Sequence, residues 1–387
     1  MTANRTLPSA ADVVIVGGGV IGLSTAYHLA RAGVERVVLL ERHGFGSGST
    51  CKAAGGVRAN FSDEVNVVLG LRSLEAFESF ATEFDQEIDL HQPGYLFLVD
   101  NEDDLQLFRA SSELHRSLGI ESHLLGPDEA QRLSPLISTE GLLAGLHTPR
   151  DGHCTPESVV LGYTRAARRA GATLVSGCEV TGIASEGDRI VAVNTTAGDL
   201  STEHVICAAG AWSRQVGALV GVDLPVTPLR RQIVVTEPVA DLDPSMPFTI
   251  DFSTSMYFHQ EGPGLLIGMP ERPDSWSFDL TRTTEWLDEL AEAMQRRTPS
   301  LGDVGLTRGW AGLYEMTPDH NALIGHSSSV PGFWYATGFS GHGFLMGPAV
   351  GEVMRDLYLG HTPFVDVSGL TADRFRDSDV RPEINVV

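Results

Sequence analysis

The stretch VVIVGGGVIGLS at residues 13–24 decides the fold of this chain. Its first four residues form an unbroken apolar run, which is typical of a parallel strand buried on both faces. The run leads into G-x-G-x-x-G, in which Gly17 permits a tight turn, Gly19 lets the backbone approach a pyrophosphate, and Gly22 lets a helix pack on the strand. The helix that follows presents free N–H groups and a positive partial charge to phosphates.

A second apolar run, VVLLE at residues 37–41, completes the pattern. Glu41 closes this predicted strand and can accept hydrogen bonds from ribose hydroxyls, which favours an unphosphorylated ribose. Strand, glycines, helix, strand and acid occur in order within about 30 residues, as a dinucleotide-binding unit requires. The pattern therefore predicts a dinucleotide site and leaves both FAD and NAD open.

The length and charge of the chain restrict its class. A chain of 387 residues suits two interleaved domains that share a large core. The formal net charge is −23, and an acidic protein repels nucleic acid and anionic lipid surfaces. We therefore expect neither a nucleic-acid partner nor membrane insertion, because no apolar run reaches the roughly 20 residues of a membrane helix.

The cysteines and histidines give no sign of a metal. None of the four cysteines lies in a C-x-x-C pair, and the histidines lack metal-ligand spacing. Scattered cysteines without a disulfide framework fit a reducing compartment. We therefore predict a cytoplasmic protein without a metal site.

Three further stretches carry a family resemblance: GSGSTCKAAGGVR at residues 46–58, VICAAGAWS at 205–213 and WYATGFSGHGF at 334–344. With the opening stretch they span almost the whole chain. Together they resemble the D-amino-acid oxidase superfamily of FAD enzymes. The similar branch holds sarcosine oxidase, glycine oxidase and the beta subunits of heteromeric sarcosine oxidase and proline dehydrogenase.

This resemblance implies an α/β fold with a Rossmann-like FAD-binding domain of the glutathione-reductase type. An antiparallel-sheet α+β substrate domain interleaves with it. The predicted FAD-binding domain comprises residues 1–85, 147–224 and 326–387, and the predicted substrate domain comprises residues 86–146 and 225–325.

The residues themselves indicate elements of the substrate domain. Runs at 255–259 and 265–269 flank the turn EGPG at 261–264 and predict a hairpin. Residues 286–297 read as a helix. Near the end of the chain, Pro348 is expected to begin a helix, because proline favours the first helical position.

The resemblance implies that FAD is held by residues of the four stretches and by Val180, which is expected to face the adenine. The implied FAD-binding residues are Gly17, Gly19, Val20, Ile21, Gly22, Glu41, Arg42, Ser49, Thr50, Ala54, Gly55, Gly56, Val180, Ala209, Gly210, Trp212, Gly338, Gly341, His342, Gly343 and Phe344.

The implied reaction is hydride transfer from the carbon beside an amine to flavin N5, giving an imine that hydrolyses in water. The protein's task is positioning, and a dry pocket helps to deprotonate the amine. Reduction leaves negative charge near flavin N1 and O2. The glycine-rich turn before the last predicted helix can aim N–H dipoles at that charge.

Five residues are candidates for substrate contact and catalysis: Arg58, Tyr257, His259, Tyr314 and His342. Arg58 is the first candidate for a substrate carboxylate, since a guanidinium can bind it bidentately. It could equally bind FAD or a surface acid. The tyrosines and His259 could supply neutral hydrogen bonds, or could be ordinary core or rim residues. His342 lies inside the turn expected to face the flavin.

The segment WAGLYEMTPD at residues 310–319 resembles the family's segment beside the flavin edge and departs from it twice. Monomeric sarcosine oxidase carries a flavin-tethering cysteine where this chain has Gly312, so we expect non-covalent FAD. Glycine oxidase and D-amino-acid oxidase carry a carboxylate-binding arginine where this chain has Tyr314.

Two lysines of the sarcosine oxidase pattern are also replaced, one by Leu266 and one by Leu345. The first promotes reaction with oxygen in that enzyme, so we expect slow oxygen turnover and faster dye reduction. The acceptor is then oxygen or a partner redox subunit. Two alternatives stay open: the flavin subunit of a heteromeric amine dehydrogenase, and a non-catalytic FAD-binding assembly or regulatory protein.

Overall fold

The computed structural model describes residues 7–376 and 382–385. Nineteen strands and nine α-helices are found in those residues. The strands are β1 Val13–Val16, β2 Val37–Glu41, β3 Gly56–Val57, β4 Tyr95–Val99, β5 His123–Leu125, β6 Ala144–Thr148, β7 Gly152–His153, β8 Thr173–Ser176, β9 Val180–Glu186, β10 Arg189–Thr195, β11 Gly198–Ser201, β12 Val205–Cys207, β13 Thr227–Thr236, β14 Phe248–Asp251, β15 Met256–Glu261, β16 Gly264–Met269, β17 Leu306–Met316, β18 Leu323–His326 and β19 Phe333–Thr337. The helices are α1 Val20–Arg31, α2 Glu64–Glu78, α3 Phe80–Phe84, α4 Glu102–Ser117, α5 Pro127–Leu133, α6 Pro156–Arg169, α7 Ser213–Ala218, α8 Trp286–Arg297 and α9 Gly343–Leu359.

A six-stranded sheet in the order β18-β19-β12-β1-β2-β8 forms the nucleotide-binding part of the fold. Its strands run parallel except for β18, which pairs antiparallel with β19. All four residues of β1 are buried, as a strand covered on both faces must be. Because β1 lies between β12 and β2, the turn after β1 opens at the carboxyl edge of the sheet, where such folds bind ligands.

The first glycine turn depends on missing side chains. Gly17 has φ +115°, and a Cβ there would collide with the carbonyl oxygen of Ala208 after β12. A Cβ at Gly22 would collide with the carbonyl oxygen of Gly17 itself. The tight turn and the close packing of α1 on β1 therefore have the cause that the sequence indicated.

An eight-stranded sheet in the order β17-β13-β16-β15-β14-β4-β6-β5 forms the second layer. It is antiparallel except for the parallel pair β14 and β4. The predicted hairpin is present as β15 and β16, and α8 has the predicted bounds. Strand β18 crosses the predicted bound at 325/326, and the exact domain bounds stay a prediction.

The two faces of this second sheet carry separate apolar clusters. On one face Leu96 and Ile267 pack with Trp286 and Leu290 of α8. On the other face Phe97, Ile233 and Tyr257 belong to a different cluster. The helix therefore covers one face, and the other is left to face the nucleotide-binding sheet.

The prediction that Pro348 begins the last helix is wrong, because α9 begins at Gly343 and contains Pro348. A proline inside a helix loses one backbone hydrogen bond. Burial of Phe344 and Met346 in the first turn offsets that loss. At Gly347 a Cβ would lie 2.6 Å from a methyl group of Val20, so the missing side chain lets α9 pack closely on α1.

No helix in residues 7–376 and 382–385 is long and apolar enough to cross a membrane.

Replacing Gly22 by alanine tests the close packing of α1 on β1. The added methyl group has no room, so we expect a loss of roughly 2 kcal/mol of stability, a fall in Tm of about 4 °C, and weaker FAD binding. Differential scanning calorimetry and FAD titration measure the two effects. Gly44→Ala is the control, because no atom lies within 4 Å of its Cβ position. Equal Tm and FAD affinity in both variants would contradict the packing argument.

Candidate active site

One cavity of about 460 Å³ lies between the carboxyl edge of the six-stranded sheet and the open face of the eight-stranded sheet. Its lining begins at the turn after β1, follows residues 47–56, and ends at the start of α9. A concave site at the carboxyl ends of parallel strands is where α/β folds bind nucleotides.

Two side chains hold the backbone at the end of the cavity where the glycine turn lies. Thr50 accepts a hydrogen bond from the backbone N–H of Val20 at 3.1 Å, and Glu41 accepts one from Gly18 at 2.8 Å. The other carboxylate oxygen of Glu41 accepts from the backbone N–H of His43, also at 2.8 Å. Glu41 therefore shapes the two loops that line the cavity, besides the ribose contact predicted for it.

Most of the predicted FAD-binding residues line this cavity, although their individual roles stay predictions. The lining members are Gly17, Gly19, Val20, Ile21, Glu41, Arg42, Ser49, Thr50, Ala54, Gly55, Gly56, Val180, Ala209, Gly210, Trp212, Gly341, His342, Gly343 and Phe344.

Gly22 and Gly338 lie outside the lining, and their contact with FAD stays a prediction. Gly22 lies behind the turn, against the carbonyl of Gly17. Gly338 lies one layer back, where its N–H donates to the Glu315 carboxylate at 3.1 Å. Both shape the cavity from behind because each is packed against protein atoms.

Aromatic side chains of the eight-stranded sheet form one wall of the cavity. Tyr257 and Tyr314 were predicted there, and the structure adds Tyr95 and Phe248, whose rings stack at 4.3 Å. A Cβ at Gly56 would collide with the Tyr95 hydroxyl, so that glycine lets the hydroxyl approach the backbone. Sequence reasoning missed Tyr95 because β4 joins this wall only through its pairing with β14.

Arg58 is a buried cation in the cavity wall, with 3% of its surface exposed. It donates to His342 Nε2 at 3.1 Å, to the Asn385 carbonyl at 2.7 Å, and to the Asn60 carbonyl. Its guanidinium carbon lies 4.3 Å from the centre of the Phe61 ring. Within residues 7–376 and 382–385 it forms no salt bridge to a carboxylate, so its charge is available to an anion in the cavity.

His342 is the neutral partner of this arginine. Burial first, and the Arg58 charge second, hold the pKa of His342 well below its usual range. Since Arg58 donates to Nε2, the ring proton must be on Nδ1. His342 therefore orients Arg58 at neutral pH without adding a second charge.

His259 lies outside the residues that line the cavity, and its place among the catalytic candidates stays a prediction. Its Nε2 lies 3.0 Å from the carbonyl oxygen of Ala54 and its Nδ1 lies 2.8 Å from that of Gln260. The ring packs between Phe248 and His153, and burial lowers its pKa to about 4. His259 therefore ties β15 to the backbone that lines the cavity.

Arg231 is a cation of the cavity wall that sequence reasoning missed. Its guanidinium carbon lies 5.6 Å from the centre of the Tyr314 ring, and it pairs with Asp274 at 3.0 Å. Leu345 also lines the cavity, whereas Leu266 lies in the sheet core. The pairing of β13 with β17 sets Arg231 opposite Gly312, and no local sequence pattern indicates that pairing.

Glu315 is a second charged group that the sequence did not indicate. It lines the cavity, and burial raises the pKa of its carboxyl to about 7. Its oxygen Oε2 accepts from Thr337 Oγ1 at 3.0 Å and from the Gly338 N–H.

Comparison with known proteins decides the family. The family model described as DAO, FAD dependent oxidoreductase, matches residues 12–357. The chain belongs to the DAO family of FAD-dependent oxidoreductases. The FAD cofactor and the mixed α/β fold predicted from the sequence are thereby confirmed.

Several relatives of this DAO-family protein are known. Mitochondrial sarcosine dehydrogenase of Mus musculus is 32% identical over 97% of this chain and 42% of its own length. The chain thus spans less than half of that relative. The crystal structure of L-proline dehydrogenase from P. horikoshii superposes with a TM-score of 0.91 at 32% identity, covering 97% of this chain and 100% of the other. Glycine oxidase from Geobacillus kaustophilus gives a TM-score of 0.83 at 25% identity, with 94% and 98% covered.

The residues present fit FAD. Gly55 lines the cavity with φ +78°, and a Cβ there would collide with the Cys154 carbonyl. Gly341 lines it with φ +98°, and a Cβ there would lie 2.6 Å from the Tyr314 ring. These glycines therefore permit the backbone conformations and the close protein contacts that shape the cavity wall. Gly312, at the position of the tethering cysteine, has no side chain that could bond to the flavin.

Acid precipitation tests whether the FAD is held without a covalent bond. Because Gly312 offers no nucleophile, we expect the yellow colour to pass completely into the supernatant. Absorbance of both fractions measures this. Gly312→Cys is the matched variant that restores a thiol at this position. Flavin that stays in the wild-type pellet would contradict non-covalent binding.

Proposed function

We propose that this chain oxidises the C–N bond of an amino acid or an N-methyl amino acid by hydride transfer to FAD. The observation that carries the proposal is Arg58, a buried guanidinium without a salt bridge to any described carboxylate, in the wall of the FAD cavity. A buried cation needs an anion in contact, and a substrate carboxylate supplies one. The aromatic wall opposite provides an apolar surface for the rest of a small substrate.

The chain's own groups would prepare the amine for oxidation. The carboxylate binds Arg58, which His342 holds in place from the side. Tyr257 is buried and Tyr314 is half-buried, and burial raises the pKa of both hydroxyls, so they remain neutral hydrogen-bonding groups. The same dry surroundings disfavour an ammonium ion, so the substrate nitrogen binds with its lone pair free. When bound, FAD supplies the hydride acceptor.

The relatives support this substrate class. Sarcosine, proline and glycine, named in the three related enzymes, each carry an amine nitrogen on the carbon beside a carboxylate. Such a molecule fits a cavity whose wall offers the buried Arg58 guanidinium and neutral aromatic side chains.

We also propose an electron acceptor other than free oxygen, because Leu266 and Leu345 replace the two lysines of the sarcosine oxidase pattern. A partner redox subunit that takes the electrons is consistent with this loss. A cytoplasmic location is proposed on the four cysteines, all of which are free thiols.

Anaerobic reduction by a substrate panel tests the proposed reaction. We expect sarcosine, proline, glycine or a D-amino acid to bleach the flavin absorbance, with the fastest rate giving the preferred substrate. In turnover assays an artificial dye should then be reduced faster than oxygen. Bleaching by none of a broad amine panel would instead support a non-catalytic FAD-binding protein. Rapid stoichiometric peroxide formation would overturn the proposed acceptor.

Replacing Arg58 by lysine tests the carboxylate contact. A charge-assisted hydrogen bond contributes about 1.5–3 kcal/mol, so KM for a carboxylate substrate should rise roughly tenfold or more. The KM for the matching amine without a carboxylate, such as pyrrolidine in place of proline, should rise much less. Arg150→Lys, in an exposed ion pair with Glu78, is the control. Equal losses for both substrates would show that Arg58 acts only through the fold.

A further inference from the structure

The carboxylate of Glu315 is enclosed between two backbone segments of the FAD cavity. Glu315 is 9% exposed and lines the cavity. A Cβ at Gly343, the first residue of α9, would lie 3.1 Å from its Oε1, and one at Gly210 would lie 3.5 Å from its Oε2. The carboxylate therefore lies at the N-terminal end of α9 and beside the turn that follows β12.

No cation in the described part of the chain pairs with this carboxylate. Its hydrogen-bond donors are neutral, namely Thr337 Oγ1 and the backbone N–H groups of Gly338 and Phe339. Across residues 7–376 and 382–385 it forms no salt bridge, and Arg230, on the neighbouring strand β13, is bound to Glu271 at 2.8 Å instead. The positive pole of α9 lies beside the carboxylate and adds to the support from these donors.

The titratable groups around Glu315 are neutral, so none of them supplies a positive charge to its carboxylate. On β12 the buried Cys207 thiol has a raised pKa, mainly through burial, so it is neutral. In the turn before α9, His342 is neutral as well. On β17 the neighbouring Tyr314 hydroxyl is also protonated, since burial raises its pKa.

The same helix end faces the cavity through His342, Gly343 and Phe344. A negative charge on a reduced cofactor bound against these residues would share one positive pole with Glu315. Two like charges in a buried site cannot both remain ionised without cost, so one of them binds a proton.

We infer that Glu315 positions the turn before α9 and takes up one proton from solvent when the FAD is reduced. On reduction the flavin would receive two electrons from an external reductant and one proton from solvent, which leaves one negative charge on it. The second proton converts the Glu315 carboxylate to the neutral acid. The inference requires the FAD cofactor and is independent of the proposed amine substrate.

Potentiometry of the FAD-loaded protein between pH 6 and 9 tests this, with dithionite and mediator dyes in place of any amine. One proton per two electrons changes the equilibrium tenfold per pH unit, which is about 30 mV. Since burial raises the Glu315 pKa to about 7, the carboxyl is already protonated below that pH, and the slope there should be about 30 mV per pH unit. Above it, the oxidised protein has an ionised carboxylate, and proton uptake should steepen the slope to about 60 mV.

Glu315→Gln keeps the hydrogen-bond acceptor and removes the charge. In this variant the midpoint potential should fall by about 30 mV per pH unit over the whole range from pH 6 to 9. Above pH 7 the midpoint potential should be higher than that of the wild type. Glu261→Gln, at the exposed end of β15, is the matched control and should behave as the wild type. A single slope in the wild type, or a steep slope that survives in Glu315→Gln, overturns the inference.

A second measurement decides the question if the Gln variant does not hold FAD. At pH 8 the wild-type protein, reduced in weak buffer with an indicator dye, should take up more than one proton per flavin. Infrared difference spectra should then show a new protonated-carboxyl band that shifts on labelling with ¹³C-glutamate. Uptake of one proton, or a spectrum without such a band, overturns the inference.

Discussion

The contact between the backbone of Gly17 and the carbonyl of Ala208 is the constraint on which the rest of the site depends. It brings the turn after β1 against the end of β12 with no side chain between them. The N-terminus of α1 can then face the cavity, and β12 and β19 carry the last glycine turn to the same edge of the sheet. A side chain at this position would separate two segments that must jointly hold the cofactor.

The FAD cavity contains charges that are left partly unbalanced. Arg58 is solvated by carbonyl groups and a neutral imidazole, and Glu315 by hydroxyl and amide donors. Burial makes each group sensitive to the charge of what enters the cavity or changes within it. A substrate carboxylate would pair with the Arg58 guanidinium. Reduction of the cofactor would favour protonation of the Glu315 carboxylate.

Local patterns were read correctly where a contiguous segment carries its own structural signal. The glycine turn at residues 17–22, the hairpin of β15 and β16, and α8 were all predicted from neighbouring residues and are confirmed. The helix start predicted at Pro348 is wrong because the buried residues before it also belong to α9. The preference of proline for the first helical position did not decide where this helix begins. On β15, Tyr257 lines the cavity, whereas the His259 ring, two residues on, contacts the Ala54 carbonyl.

By itself the sequence determined the cofactor class, the first strand and its glycine turn, and the resemblance to FAD enzymes, because those signals lie within short spans of chain. Only the tertiary structure decided which cations and acids meet at the cavity. Arg231 reaches it through the pairing of β13 with β17, and Glu315 acquires its donors from residues beside β19. The physical reason is that burial and charge balance arise from contacts between distant segments, and no local pattern encodes them.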